Sequence, residues 1–473
     1  MRRGEIDFIT LGCSKNLVDA ERVMRQLEAA GWRCVHDAPE PQGEIAVVNT
    51  CGFIGDAKEE SIQVILQMAE RKQQGKLRKL YVMGCLSERY RAELEEEMPE
   101  VDAYFGKFDF MQLVELLNKD RFAEGQRTKD KNVSVGCNLY ERKLTTPWHY
   151  AYLKISEGCN RMCSYCAIPL ITGRHTSRPK EEILDEVRWL VSQGVKELNV
   201  IAQDLSSYGL DLRVQSTDRY ADRIQTNYDK SRVERRHLLP ELIDEIAHIE
   251  GVEWIRLHYA YPTDFPEELL DVMARNENVC KYLDIALQHC TDHMLGLMRR
   301  HITRAEQDAL IRRIREKVPG ICLRTTLLVG HPGETEEDFE ELKQWVREMR
   351  FERMGCFAYS NEEGTYAYRH YKDDVPEETK QRRVAELMAI QQEISGELMQ
   401  AKVGTTQRVI IDRQEGDYYI GRTQYDSPEV DCEVLVERVQ STDRYADRIQ
   451  IGLLYDVKIT KAEEFDLYGI ILC

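Results

Sequence analysis

The feature that most constrains this 473-residue chain is a loop of three closely spaced cysteines, Cys159, Cys163 and Cys166. The loop directly follows an apolar run, residues 150–155, that predicts a buried strand. Cubane iron–sulfur clusters are normally bound by four cysteines, so a loop that offers three leaves one iron without a protein ligand. A structural zinc site would need a second Cys-x-x-Cys pair nearby, and none follows. These three residues, called the loop cysteines below, therefore predict a cluster with an open iron rather than zinc or three unrelated thiols.

The composition is that of a globular protein of about three domains. No apolar run approaches the ~20 residues that a membrane span requires, so no membrane partner is expected. The first residues include two arginines but no apolar stretch, which is not an export signal and predicts a cytoplasmic location. Fourteen cysteines in such a protein indicate metal or redox chemistry rather than disulfides. The net charge of −18 argues against nucleic acid as the primary partner and favours a basic protein.

Residues 1–125 alternate predicted strands with predicted helices, which is typical of a parallel α/β sheet covered on both faces. A cysteine follows each of three predicted strands: Cys13, Cys51 and Cys85. The carboxyl ends of strands in an open α/β sheet lie along one edge, where ligands bind. The three residues, called the sheet-edge cysteines below, are thus expected to converge. Three buried structural thiols are the alternative, but a second cluster with a free iron is the interpretation that we favour.

Residues 147–375 contain six apolar runs separated by helical patterns, which predicts a partial (β/α)6 barrel that is open on one side. In such barrels the site lies at the carboxyl ends of the strands, where the loop cysteines fall. The same rule nominates polar residues that close the later strands: Gln203, Asp204, His258, Gln288, His289, Tyr359 and Ser360. Gly330 and Gly333 join a strand to a helix and either let the backbone approach a nucleotide-like ligand or form a tight turn.

With these motifs the chain resembles the radical S-adenosylmethionine (SAM) methylthiotransferases. The likeness rests on the loop cysteines with Tyr165 before the last of them, on the three-cysteine domain in front, and on a small β domain behind. Four segments resemble the branch that modifies a ribosomal protein more than the branch that modifies tRNA. They are residues 11–19 (LGCSKNLVD), 49–54 (NTCGFI), 202–204 (AQD) and 256–262 (RLHYAYP).

The resemblance implies two 4Fe–4S clusters and SAM as cofactors. The cluster on the loop cysteines would bind SAM and generate a 5′-deoxyadenosyl radical, and the cluster on the sheet-edge cysteines would carry the methylated sulfur. The product would be a β-methylthio-aspartate in the twelfth small-subunit ribosomal protein. A flavodoxin-type reductant would supply electrons, and the sulfur source is unknown. The cleft for SAM would be lined by Gln203, Asp204, His258, Gln288, Gly330 and Gly333.

The remaining segments are a linker at 126–146, a helical linker at 376–401 and a small antiparallel β-barrel at 402–473 that resembles a TRAM domain. The barrel segment has nine Lys and Arg against fourteen Asp and Glu, a net charge of −5. An acidic barrel favours a basic ribosomal protein over tRNA as the bound partner.

Two other functions stay open. One is a tRNA adenosine methylthiotransferase, which would share the catalytic parts. The other is a non-catalytic iron–sulfur electron carrier or ribosome-binding factor, which is disfavoured because carriers usually close the cluster with a fourth cysteine.

Two further features complete the sequence. A 13-residue segment at 213–225 (RVQSTDRYADRIQ) recurs unchanged at 438–450. Structural repeats do not keep such identity in unrelated contexts, so we interpret it as a recent duplication or a sequence artefact and expect surface loop or short helix in both copies.

The eight other cysteines show no ligand spacing and are expected to be small apolar core residues. Cys290, which lies beside Gln288 and His289 at a strand end, is the one among them that could take part in the site.

The two-cluster prediction is tested by iron analysis. Anaerobic reconstitution of the full chain is expected to yield about eight irons, four for each cubane cluster. Replacing the three sheet-edge cysteines with alanine is expected to leave about four, and an unchanged iron content in that variant would contradict a second cluster.

Overall fold

The computed structural model describes residues 1–123, 138, 140–212, 236–437 and 449–472. The first copy of the repeated segment lies outside the described residues, as does the second except for Ile449 and Gln450, so their form stays a prediction. Cys137 and Cys473 also lie outside them. Within the described ranges, no helix combines the length and apolar character needed to cross a bilayer.

The N-terminal domain is a five-stranded parallel sheet with the order β2-β1-β3-β4-β5, which confirms the predicted class. Its strands are β1 (Arg2–Thr10), β2 (Arg33–His36), β3 (Gly43–Thr50), β4 (Lys79–Gly84) and β5 (Ala103–Tyr104). Its helices are α1 (Ser14–Ala29), α2 (Gly55–Gln73), α3 (Cys85–Glu97) and α4 (Phe110–Ala123). Alternate residues of β3 point to opposite faces, so Ile45 and Val47 enter one apolar core while Ala46 and Val48 enter the other.

The middle domain is an open six-stranded sheet in which each strand lies beside its predecessor. The strands are β6 (Tyr150–Lys154), β9 (Glu197–Ile201), β10 (Trp254–Ala260), β11 (Val279–Ile285), β12 (Cys322–Val329) and β13 (Arg353–Ala358). All five pairings between them are parallel, which confirms the predicted partial barrel. Short elements follow β6: β7 (Ser156–Glu157), α5 (Ile168–Thr172) and β8 (Thr176–Ser177). Two of these, β7 and α5, flank the loop cysteines.

Helices cover the outside of this sheet and bury its apolar residues in one large core. They are α6 (Lys180–Ser192), α7 (Leu239–Ala247), α8 (Glu268–Arg275), α10 (Arg304–Lys317) and α11 (Glu336–Met349). A 3-10 turn at Leu205–Ser207 follows β9, and two short helices, α9 (Asp292–Leu297) and α12 (Tyr366–His370), follow β11 and β13. The alternate residues of each strand face the inside of the partial barrel, and on β9, β10 and β11 many of these are polar. Asn199, Arg256, His258, Tyr282 and Asp284 are all buried.

After the long helix α13 (Glu377–Gln400), the C-terminal strands form a closed barrel with the order β14-β15-β16-β18-β17. They are β14 (Thr406–Glu415), β15 (Tyr418–Thr423), β16 (Val434–Glu437), β17 (Leu454–Ala462) and β18 (Leu467–Ile471). The prediction of an antiparallel barrel needs one correction, because β16 pairs with β18 in parallel. A ring of five strands cannot alternate direction throughout, so closure forces one parallel pair.

Glu197 at the start of β9 joins the middle domain to the C-terminal barrel. It accepts hydrogen bonds from Arg256 Nε at 2.9 Å and Arg422 Nη2 at 2.8 Å, and all three side chains are buried. Burial opposes ionisation of Glu197, but Arg422 and Arg256 outweigh it and lower the pKa of the carboxyl. Tyr150, Tyr282, Arg324 and Arg353 also bind acidic residues of the barrel near the strand starts. The barrel therefore covers the end of the sheet opposite the loop cysteines.

Replacing Glu197 with glutamine is expected to destabilise the docked barrel by about 3 kcal/mol, because two buried arginines lose their shared counter-charge. The effect is measured as a lower Tm of the apoprotein and faster proteolytic release of the C-terminal barrel. Glu253→Gln is the matched control, since its pair with Arg408 is long, at 3.8 Å, and exposed. Equal behaviour of the two variants would contradict this account of the interface.

Candidate active site

The three sheet-edge cysteines lie in segments that touch one another. Cys51 directly follows β3, Cys85 begins α3, and Cys13 lies three residues beyond the end of β1. A Cβ atom on Gly12 would approach Cys51 Cβ to 2.8 Å, and one on Gly52 would approach the Cys85 carbonyl oxygen to 2.7 Å. Only glycine permits such close packing, so the strand ends bring these cysteines together as the topology predicts.

The charges around the sheet-edge cysteines differ from one thiol to the next. Burial raises the pKa of Cys51 and raises that of Cys85 to about 12. Cys13 is exposed; desolvation opposes its ionisation, but Lys15 and Lys107 help to lower its pKa. Since iron binds the thiolate, ligation by Cys51 and Cys85 would release protons, and the buried ammonium of Lys107 would stabilise the resulting negative charge.

The loop cysteines follow β7 in a tightly constrained loop. Gly158 has a φ of +76°, and a Cβ there would lie 2.2 Å from the Arg174 carbonyl oxygen, so this position requires glycine. Cys159 and Cys163 are buried, whereas Cys166 is half-buried. Burial, together with the charge of Asp204, raises the pKa of Cys159 to about 12.

Two residues that sequence reasoning missed contact Cys163. Arg300 is buried and donates from Nη1 to Cys163 Sγ at 3.3 Å, and Tyr261 Oη lies 3.5 Å from the same sulfur. Tyr261 belongs to the RLHYAYP segment at residues 256–262, which carries part of the family resemblance. No sequence spacing links this tyrosine to a cysteine 98 residues away. Arg300 lies 137 residues from Cys163, and no spacing pattern in the sequence links the two.

The two cysteine sets face each other across the domain interface. Cys85 shares a small apolar cluster with Ala167, which directly follows Cys166, and with Ile171 on α5. Helix α3, which begins at Cys85, packs on α5. We infer from these contacts that the loop cysteines and the sheet-edge cysteines border one cleft between the two domains.

A network of four charged residues, called the interface network below, crosses the same boundary: the buried Lys107 and Lys154 with the half-buried Asp19 and Glu157. Lys154 Nζ contacts Asp19 and lies 2.9 Å from Glu157 Oε2, while Lys107 Nζ lies 3.3 Å from Asp19 Oδ2. Desolvation opposes ionisation of Asp19, but Lys154 and Lys107 outweigh it and lower its pKa to about 2. Asp19 is therefore ionised at neutral pH, and the stabilising effect of its lowered pKa would be lost only as the pH falls from about 4 toward 2.

Gln203 and Asp204 lie where the strand-end rule predicted them. The Gln203 amide donates to Glu157, and Asp204 Oδ2 accepts from Arg161 Nε at 2.8 Å, so both residues contact the segment that carries the loop cysteines. Gln203 Oε1 and Asp204 Oδ1 are buried acceptors without a hydrogen-bond partner among the described residues. Unpaired buried acceptors are costly, and they fit a ligand that donates hydrogen bonds, such as the hydroxyl and amino groups of SAM.

The other nominated residues differ in their surroundings. His258 lies within β10, where its Nε2 is 3.2 Å from Asn199 Oδ1; burial and Arg256 lower its pKa, so the imidazole is neutral. Gln288, at a φ of +72°, pairs its backbone with β12. The Gly330 N–H donates to Glu334, and the Gly333 N–H donates to Asp374 Oδ1 at 3.0 Å. Both N–H groups already have partners within the protein. This favours the interpretation that Gly330 and Gly333 form a tight turn over the interpretation that their backbone binds a nucleotide-like ligand.

No three His, Cys, Asp or Glu side chains in the described part of the chain converge as ligands of a single metal ion do. The thiolates of a cubane cluster bind different iron atoms, so a cluster does not require such convergence. Two sets of three thiols beside buried cations fit the donor chemistry of two such clusters.

Most of the other cysteines lie in apolar cores, as predicted. Cys290 is fully buried in the core of the middle domain, so its position beside His289 gives it no access to the cleft. The same burial is found for Cys34, Cys280, Cys322, Cys356 and Cys432.

Gly52→Ala is expected to displace Cys85, because the new Cβ would lie 2.7 Å from backbone atoms that cannot move aside cheaply. The reconstituted variant should lose iron from about eight toward about four per chain. Gly55→Ala is the matched control, since its Cβ would meet nothing nearer than Ser360 Oγ at 3.8 Å. Full iron content in Gly52→Ala would show that this packing does not set the ligand geometry.

Each of the three domains matches a different family of known proteins. Residues 5–106 match an uncharacterised protein family, UPF0004, residues 153–346 match the radical SAM superfamily, and residues 403–472 match the TRAM domain. The radical SAM methyltransferase TsrM from Kitasatospora setae, solved with tryptophan and a SAM analogue, is similar in structure. Its TM-score is 0.51 at 15% identity, over 74% of this chain and 72% of TsrM, which bears on the fold alone.

Relatives of far higher identity cover the full length. The ribosomal protein uS12 methylthiotransferase RimO of Phocaeicola vulgatus is 59% identical over 100% of both chains. The protein of the same name from Porphyromonas gingivalis W83 is 55% identical over 99% of both chains. The one from Christiangramia forsetii is 49% identical over 99% of this chain and 94% of its own. The chain therefore belongs to the RimO family of methylthiotransferases, which are radical SAM transferases.

Proposed function

We propose that this enzyme adds a methylthio group to the β-carbon of an aspartate in ribosomal protein uS12. The observation that carries the proposal is the contact of Cys85 with Ala167 and Ile171, which sets the two groups of cysteines on one cleft. A transfer that needs both a radical and a sulfur donor requires the two to reach the same carbon atom. The name of the relatives supplies the protein substrate.

In this proposal the loop cysteines hold one 4Fe–4S cluster and the sheet-edge cysteines hold a second. When bound, the first cluster supplies the reductive cleavage of SAM, with electrons from a flavodoxin-type donor, and the second supplies the sulfur, whose source is unassigned. Two SAM molecules are used in each turnover. Unpaired acceptors on Gln203 and Asp204 support SAM binding beside the loop cysteines. His258 and Gln288 are proposed to complete the wall of that cleft, with the turn of Gly330 and Gly333 beside it.

The protein's own residues prepare the cleft for this chemistry. Arg300 places a buried positive charge 3.3 Å from Cys163 Sγ, where it would offset the negative charge of a bound cluster. The buried ammonium group of Lys107 likewise acts on the sheet-edge cysteines, since its charge lowers the pKa of Cys85 against the effect of burial. The apolar contact between α3 and α5 limits the access of water from that side, which protects a reactive radical from side reactions.

The excess of Asp and Glu over Lys and Arg in the C-terminal barrel supports a basic partner less strongly in the structure than it does in the sequence. Asp412, Asp426, Glu429 and Asp431 are engaged by groups at the domain interface or within the barrel. Their charge is therefore not offered to a partner. The proposal of uS12 as substrate, and of the cytoplasm as the place of reaction, rests mainly on the relatives.

The test is mass spectrometry after anaerobic turnover of the reconstituted full chain with SAM, a reductant, and either uS12 or tRNA. We expect an SCH3 group to replace hydrogen on one aspartate of uS12. Cys163→Ala should abolish formation of 5′-deoxyadenosine, whereas Cys85→Ala should still form it without methylthiolated product. Modification of tRNA alone would contradict the proposed substrate.

A further inference from the structure

Lys15 is a buried cation that has no anionic partner among the described residues. It lies on α1, two residues after Cys13, and its side chain is only 8% exposed. Its Nζ sits 3.4 Å from the centroid of the Tyr259 ring, and it makes no hydrogen bond or ion pair with any described residue. Cation–π contact compensates only part of the cost of removing an ammonium group from water. This position therefore favours an anion that arrives from outside the chain.

Lys15 lies at the point where the two domains meet the inside of the partial barrel. It acts electrostatically on Cys13 in the first domain and on His258 and Asp284 in the second. Tyr259 is near the carboxyl end of β10 at a φ of +66°, a conformation that is uncommon for a tyrosine, and its side chain is 37% exposed. Its ring thus forms a partly open surface beneath the ammonium group.

The other cations of the cleft are already occupied. Arg161 pairs with Asp204, and Lys107 and Lys154 both pair with Asp19. Arg300 donates to Cys163, Tyr165 and the Ala286 carbonyl oxygen. Binding an anion at Lys15 would break no ion pair, in contrast to Arg161, Lys107 and Lys154, and no hydrogen bond, in contrast to Arg300.

We propose that Lys15 binds the side-chain carboxylate of the substrate aspartate; this inference rests on the proposed function. In aspartate the carboxyl carbon is bonded directly to the β-carbon. A carboxylate held over Tyr259 therefore fixes the reacting carbon one bond away, beside Cys13 and within the cleft that the loop cysteines border. Lys15 thus selects the target residue and positions it.

The test is a double-mutant cycle on binding, with reconstituted full-length enzyme and SAM but no reductant, so that no turnover occurs. The ligand is uS12 with either aspartate or asparagine at the modified position. On the wild-type enzyme, asparagine should weaken binding roughly ten- to a hundredfold, the range for loss of a charge-assisted hydrogen bond. Lys15→Met should weaken binding of the aspartate form by a similar factor, and should bind both forms equally. Lys15→Arg should restore part of the preference.

Lys402→Met is the matched control, because Lys402 Nζ also lies over a tyrosine ring, at 5.3 Å from that of Tyr425, but in the C-terminal region. It should leave the preference for aspartate unchanged. An equal preference for aspartate in wild type and Lys15→Met would overturn the proposal for Lys15, while methylthiolation of uS12 by the wild type would leave the proposed function intact. If the wild type modified only tRNA and bound the aspartate and asparagine forms of uS12 equally, the proposed function and the proposal for Lys15 would both be contradicted.

Two further measurements separate Lys15 from other roles. Iron content and SAM affinity should be unchanged in Lys15→Met. Loss of about half of the iron would assign Lys15 to stabilisation of the sheet-edge cluster. Weaker SAM binding with the aspartate preference retained would assign it to the carboxylate of SAM. Either result would overturn the proposal.

Discussion

The interface network of Asp19, Lys107, Lys154 and Glu157 is the interaction on which the geometry of the cleft depends. Asp19 lies on the helix that follows Cys13, and Glu157 lies two residues before Cys159. Buried charges are tolerated only when they are paired, and breaking one partner leaves an uncompensated charge that costs several kcal/mol. The pairing therefore restricts how the two domains can meet. The apolar contact of Cys85 with Ala167 would by itself allow more sliding between α3 and α5.

The opposite end of the middle domain is held by a second set of buried charges around Glu197. Arg256 and Arg422 both bind this carboxylate, and the C-terminal barrel thereby covers the starts of the strands. The open side of the partial barrel and the carboxyl ends of its strands remain on the side of the cysteines. A protein segment that carries the target residue would thus reach the cleft from the side where Lys15 and Tyr259 lie.

The parts of this arrangement that follow from periodicity could be predicted from the sequence. Strand–helix alternation located Cys13, Cys51 and Cys85 at one edge of a sheet, and six strand–helix units located the loop cysteines at the open end of a partial barrel. Contacts between distant segments could not be predicted, because no periodic pattern links Cys163 to Arg300, 137 residues away.

The predictions for the charge of the C-terminal barrel and for Cys290 were incomplete because residue type alone does not show pairing or burial. The acidic count of the C-terminal barrel did not reveal that several carboxylates are engaged at the domain interface, since charge totals carry no information on pairing. The interest in Cys290 came from its polar neighbours, whereas its own side chain points into the core. In the sequence Lys15 is only one residue of the LGCSKNLVD segment, and the structure is needed to show that it has no counter-charge among the described residues.

The central claim is that the two cysteine sets hold two clusters on one cleft that also contains Lys15. An anaerobic crystal structure of the reconstituted full chain, with iron located by anomalous scattering, tests it most directly. Two iron sites are expected, one bound by Cys159, Cys163 and Cys166 and the other by Cys13, Cys51 and Cys85, with the Lys15 ammonium group facing the space between them. A single iron site, or a second one bound elsewhere in the chain, would contradict it.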